Sequence, residues 1–411
     1  MYKNTKISLF NISFLILLFV PTFGLEFGGI LINIGSFFLS ITYILINKNK
    51  QTNILRLNFV TFIFMLLSLL IIISLIKDIY NGSVNFGSFF SALRPVFIFS
   101  TIYASYIFWE MKNNLLLSWN SFLDIVFVCL FFCSSFEFIF PTSGKIFELL
   151  YGARSSEYSG PLGTSYYIGY LFFLFYLHFL FKLKDKYSFK TLIKLLITLI
   201  MIFLCDSKPP LVLGVFMVPF LFFPRSNLKM STILYFAFTI ILFSVVKVDA
   251  LIEMLVGFNI ESYNVKSLIR ILDNAEGSGT FSIRQEQAEM AISGSLSNFG
   301  FGLGLGRGIL LESWLSYYGY RYGVIGLILY FILWIYLAVK SYLIGIKKNS
   351  CNKNWYVIFY LGFWFLFQPV LLISGGMNES GITGIFSSII IGLTIVLIKK
   401  QNLYSRKNLL T

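Results

Sequence analysis

The chain has 411 residues, of which 57% are apolar, 19% aromatic and only 12% charged. A soluble globular domain carries about 25% charged residues, so a compact fold solvated by water alone is excluded and the surface must be solvated by lipid. The formal charge of +14 points to the Lys/Arg-rich inner loops of a membrane protein rather than to a nucleic-acid partner.

A helical span needs about 20 mainly apolar residues. In chain order, such runs lie near 7–24, 27–46, 57–76, 92–109, 117–140, 163–181, 190–205, 209–223, 230–246, 316–340, 354–374 and 381–398. The first run follows a basic start and has no small-residue cleavage site after it, so it reads as a retained span rather than a removed leader. The expected organisation is spans over 1–246 with an outer loop near 141–162, a long outer loop over 247–315, and further spans and a tail over 316–411. The turn Asp206-Ser207-Lys208-Pro209-Pro210 divides two spans or breaks one hairpin. With the N-terminus placed inside, 21 of the 32 basic residues fall in inner segments, which predicts twelve spans with both termini cytoplasmic.

The cysteines, Cys129, Cys133, Cys205 and Cys351, form no CxxC, and the single histidine, His178, sits in an apolar run. No zinc or redox site is legible, and neither a metal nor an organic cofactor is expected. His178 reads as a packed helix residue.

The informative cations are those that fall outside against the usual bias. Arg94 and Arg321 sit at span edges, where snorkelling to the headgroups costs little. Arg284 follows Ser282 in a Ser-x-x-Gln pattern that predicts a capping box and puts Arg284 in a first helical turn. A helix N-terminus with an arginine is a seat for phosphate; an ion pair with Glu286 or Glu289 is the bland alternative. The run Gly300-Phe301-Gly302-Leu303-Gly304-Leu305-Gly306-Arg307-Gly308 matches neither a dinucleotide fingerprint nor a Walker motif. It reads either as a hinge or as backbone that approaches a ligand closely, with Arg307 adding charge. The segment Tyr151–Pro161 sets Arg154 and Glu157 among tyrosines and glycines, as a sugar or phosphosugar site would, or an ordinary interface loop. Lys208 at the double proline marks a helix break that lines a cavity or closes a local Asp–Lys pair.

Arg284, the Gly300–Gly304 turn, Glu312-Ser313 and the run Gly319-Tyr320-Arg321-Tyr322-Gly323-Val324-Ile325-Gly326 together resemble the Wzy-type O-antigen and capsule polymerases, relatives of the O-antigen ligases. The ligases carry a histidine after the Gly-rich turn, where this chain has Glu312-Ser313. The resemblance implies an all-α, polytopic, GT-C-like transmembrane bundle with one long, partly helical periplasmic loop. It implies location in a bacterial inner membrane and metal-independent glycosyl transfer at its outer face. The implied substrates are oligosaccharide repeat units on undecaprenyl pyrophosphate, with membrane lipids and a chain-length regulator protein as partners. In that scheme Arg284 with Glu312 or Glu286 carries catalysis. Arg154, Arg307, Arg321, Arg94, Lys208 and Glu157 hold the substrate and its pyrophosphate. A flippase of lipid-linked glycans and an O-antigen ligase are the alternatives.

Overall fold

The computed structural model describes residues 28–47, 58–84, 86–140, 165–204, 208–217, 279–305, 313–346, 355–372 and 381–407, with a few isolated positions besides. Every regular element among them is a helix. The helices are α1 (Gly28–Ile46), α2 (Asn58–Tyr80), α3 (Phe86–Ala92), α4 (Arg94–Glu110), α5 (Leu115–Ile139), α6 (Ser165–Asp185) and α7 (Phe189–Leu204). They continue with α8 (Lys208–Met217), α9 (Gly279–Ser297), α10 (Trp314–Ile346), α11 (Trp355–Leu366), α12 (Gln368–Leu371) and α13 (Gly381–Lys407). Helix is what an apolar run must adopt away from water, because it satisfies every backbone N–H and C=O within the segment. Stretches within α2, α5, α6, α10 and α13 are long and apolar enough to cross a membrane. The protein is a helical membrane protein.

Local chemistry sets the helix ends. Pro95 stands in the first turn of α4, where its missing N–H costs nothing. Asn114 caps α5 by accepting from the Leu117 N–H at 3.3 Å. Pro209 and Pro210 stand in the first turn of α8, so α7 and α8 are separate helices, with residues 205–207 between them outside the described residues. Three boundaries differ from expectation. A short helix, α3, fills the connection before α4. The run 354–374 divides at Phe367 into α11 and α12, with Pro369 in the first turn of the second piece. The run near 316–340 begins earlier, at Trp314, and contains a break at Gly323 (φ 73°, ψ −177°). The expected spans at 7–24 and 230–246 and the outer loop near 141–162 lie outside the described residues, apart from isolated positions.

α6 is buried on all sides: Tyr170 to Phe181 are each 0–1% exposed. A helix apolar all round belongs in the middle of a bundle. α2 instead exposes Phe62, Met65, Leu69, Ile72 and Ile76 along one stripe, the face a lipid-contacting helix presents. α10 packs on α2, α9 and α11, while α4 packs between α1 and α13. Gly392 of α13 lies against the Ser105 side chain and the Ile102 carbonyl, a small-residue contact that lets two backbones approach.

The bundle has two polar ends. α4 carries Arg94 at its first residue and Glu110 at its last, about 24 Å apart at 1.5 Å per residue. The ends of α2 and α3 and the starts of α4 and α10 meet at the arginine end; Glu110, Asp124, Lys194, Trp355 and Lys399 lie at the lysine end.

Candidate functional site

The break in α10 organises the arginine end. A left-handed Gly323 interrupts the helical ladder, which leaves the Tyr320 and Arg321 carbonyls and the Val324 and Ile325 N–H groups without helical partners. In a water-poor interior each such group costs several kcal/mol if unmet. The Leu303 N–H donates to the Tyr320 carbonyl at 2.7 Å, and the Ser74 hydroxyl donates to the Arg321 carbonyl at 2.5 Å. The Val324 N–H donates to Ser295 Oγ at 2.8 Å, and the Ile325 N–H reaches the Gly300 carbonyl at 3.4 Å. All four groups are met, three by α9 and the glycine-rich segment and one by α2.

This geometry explains the alternating glycines. A Cβ on Gly302 would strike the Arg321 carbonyl and Ser74 Oγ, and one on Gly304 (φ 156°) would strike the Asp78 carboxylate. A Cβ on Gly323 would strike the Gly300 carbonyl. The glycines do serve close backbone approach, and what Gly300–Gly304 approaches is the protein's own broken helix. Gly306, Arg307 and Gly308 of the same run lie outside the described residues.

Arg321 lies inside this frame at 3% exposure, so it does not snorkel to a headgroup as its place in the sequence suggested. Its Nε donates to the Leu305 carbonyl at 2.9 Å, and its two terminal nitrogens donate to the Tyr317 hydroxyl and to Ser91 Oγ. The guanidinium also stands 4.6 Å from the centre of the Tyr317 ring, one turn back on the same helix. Arg94, half-buried at the first residue of α4, donates to the same Tyr317 hydroxyl at 2.6 Å. Two guanidiniums therefore reach one neutral oxygen. The N-terminus of α4, where Leu93 provides no side-chain cap, adds positive potential at the same place. Asp78 connects through one residue: its Oδ2 accepts from the Leu305 N–H at 2.9 Å, while the Leu305 carbonyl takes Arg321. Its other oxygen packs against Gly304, so Asp78 anchors the glycine-rich segment.

The remaining candidates do not join this cluster, or lie outside the described residues. α9 starts at Gly279, so Ser282 is inside the helix and Arg284 falls in its second turn; the expected capping box is not formed. The Gln285 side chain instead donates to Glu289 at 2.9 Å. Arg284 is half-buried and Glu286 exposed on α9. Ala291 is the residue of α9 that meets Gly319, so Arg284 lies about 10 Å further back along the helix. Lys208 opens α8, and its side chain lies outside the description. Arg154, Glu157, Arg307 and Glu312 lie outside the described residues. Sequence reasoning missed Ser74, Asp78, Ser91 and Tyr317. The legible signals were Asp78 at the end of an apolar run and the one-turn spacing of Tyr317 and Arg321.

No family model, characterised protein or solved structure matches this chain. The site is therefore read from its chemistry. Two arginines and the N-terminus of α4 meet at one largely buried place, and a guanidinium fork matches the oxygens of phosphate. Among the described residues there is no group of His, Cys, Asp and Glu that could hold a metal ion. His178 is fully buried at the far side of α6, with Nδ1 3.3 Å from the Tyr360 hydroxyl, which also accepts from Trp119 Nε1 at 2.5 Å.

Proposed function

We propose that this chain is a polysaccharide polymerase of the bacterial inner membrane, with twelve spans and both termini cytoplasmic. It joins oligosaccharide units carried on undecaprenyl pyrophosphate, acting at the outer face. The observation that carries this reading is the meeting of Arg94 and Arg321 on the Tyr317 hydroxyl. A pyrophosphate placed here would accept from both guanidinium groups. The resemblance of the 284–326 region to Wzy-type polymerases supplies the substrate class.

In the reaction an acceptor hydroxyl attacks the anomeric carbon of the donor glycan, the bond from that carbon to the pyrophosphate oxygen breaks, and the lipid pyrophosphate leaves with the electron pair. Charge grows on the leaving oxygen, and fixed guanidiniums at low dielectric stabilise it without reorganising. The hydroxyl proton passes to a carboxylate. Glu312, seven residues past Leu305, and Glu157 are the candidates, because Asp78 is engaged by Gly304 and Leu305. The resemblance assigns Arg284, Arg154 and Arg307 to the substrate as well.

The test is the chain-length ladder of polysaccharide from cells expressing Arg94→Lys or Arg321→Lys, with protein level followed by immunoblot. Loss of long chains at unchanged protein level is expected; full-length polymer in both variants would sink the assignment. The helix break also favours a second reading, a transporter of lipid-linked glycans, since broken helices line transport sites. Cells lacking a polymerase still display single repeat units outside, whereas cells lacking a transporter display none.

A further inference from the structure

A groove of about 370 Å³ runs along the lipid-facing side of the bundle between α2 and α10, lined by Phe59, Phe331, Ile332, Ile335, Tyr336, Val339 and Lys340. The α10 residues recur at helical spacing, and Phe331, Ile332, Ile335 and Val339 are each 36–48% exposed, so they line one open stripe. Phe59 and Tyr336, with ring centres 4.4 Å apart, form its floor. The stripe from Phe331 to Lys340 rises about 14 Å, nearly half of a ~30 Å hydrocarbon layer. That is the depth of one leaflet and hence the length of one acyl chain. Among the described residues Lys340 is the sole charged one of the lining, and it stands at the lysine end, where a headgroup would lie. Tyr336 beside it, 6.0 Å from the Lys340 ammonium to the ring centre, is the amphipathic aromatic found at such an interface.

We infer that this groove is a binding site for one anionic phospholipid, with an acyl chain along α10 and the phosphate at Lys340. Apolar walls alone would take any lipid tail; the Lys340 cation at the mouth selects headgroup charge. The site stands apart from the arginine cluster and does not depend on the reaction proposed for it.

The test is native mass spectrometry of the full chain in micelles holding equal amounts of phosphatidylglycerol and phosphatidylcholine with identical chains. The wild type is expected to retain phosphatidylglycerol about fivefold over phosphatidylcholine, the scale of one lysine near an anionic surface. Lys340→Gln is expected to bring the ratio near one, and Lys340→Arg to restore it. Val339→Trp, which fills the groove, is expected to lose the bound lipid while the protein stays monodisperse; Ile335→Trp replaces it if that variant does not fold. Equal retention of the two lipids by the wild type, or an undiminished ratio in Lys340→Gln, overturns the inference. So does full lipid retention in the groove-filling variant.

Discussion

At the lysine end Lys194 and Lys399 meet carboxylates. Lys194 bonds Asp124 at 2.5 Å, and Lys399 is paired with Glu110 and bonds the Tyr106 hydroxyl at 2.9 Å. At the arginine end Arg94 and Arg321 share a phenol hydroxyl, and the nearby carboxylate of Asp78 is taken by a backbone N–H. The first arrangement neutralises charge at the rim of the bundle, where pairs are partly solvated and individually weak. The second brings two guanidiniums together in a buried place, where hydrogen bonds to Tyr317, Ser91 and the Leu305 carbonyl fix their geometry. One end ties helices together through carboxylates; the other orients guanidinium groups on one hydroxyl.

Substitutions sharpen this contrast. Arg321→Ala should have the largest effect, because it leaves the Leu305 carbonyl, Ser91 and Tyr317 short of partners in a buried place. A loss of about 3 kcal/mol and no long polymer are expected, read from thermal unfolding in detergent and from the polysaccharide ladder. Gly323→Ala comes next: positive φ and collision with the Gly300 carbonyl predict about 2 kcal/mol, measured the same way. Ser74→Ala removes the partner of the Arg321 carbonyl and should cost roughly 1–2 kcal/mol. Lys194→Met should be the mildest, at most about 1 kcal/mol after screening by solvent, with polymer length unchanged. If Lys194→Met shortened the polymer as strongly as Arg94→Lys, the division of labour between the ends would fail.

Much of the helical framework was legible in the sequence, because long apolar runs have one way to satisfy their backbone in lipid. Arg94 and Arg321 were legible as candidates, since cations beside apolar runs are conspicuous. Their meeting was not: Arg94 and Tyr317 are 223 residues apart, and Asp78 and Leu305 are 227 apart. The break at Gly323 was hidden because a glycine in an apolar run looks like any other small residue of a spanning helix. It is the partners lined up by Ser295, Gly300, Leu303 and Ser74 that make the bend sustainable. Ser282-x-x-Gln285 misled for the opposite reason: the pattern was present, but the helix had already begun three residues earlier, at Gly279.

The break in α10 also bears on the order of assembly. Three of the four groups it exposes are met by residues 295–303, which leave the ribosome before α10 does. A chain that enters the membrane from its N-terminal side thus carries the cover for its own weak point ahead of it. Only Ser74 must be found from far away. Ser295 and Val324 are 29 residues apart, so this closure costs less entropy than the docking on α2, where Ser74 meets Arg321 across 247 residues. The same closure brings Leu305 to Arg321, and the contacts from Arg94 and Ser91 then complete the cluster.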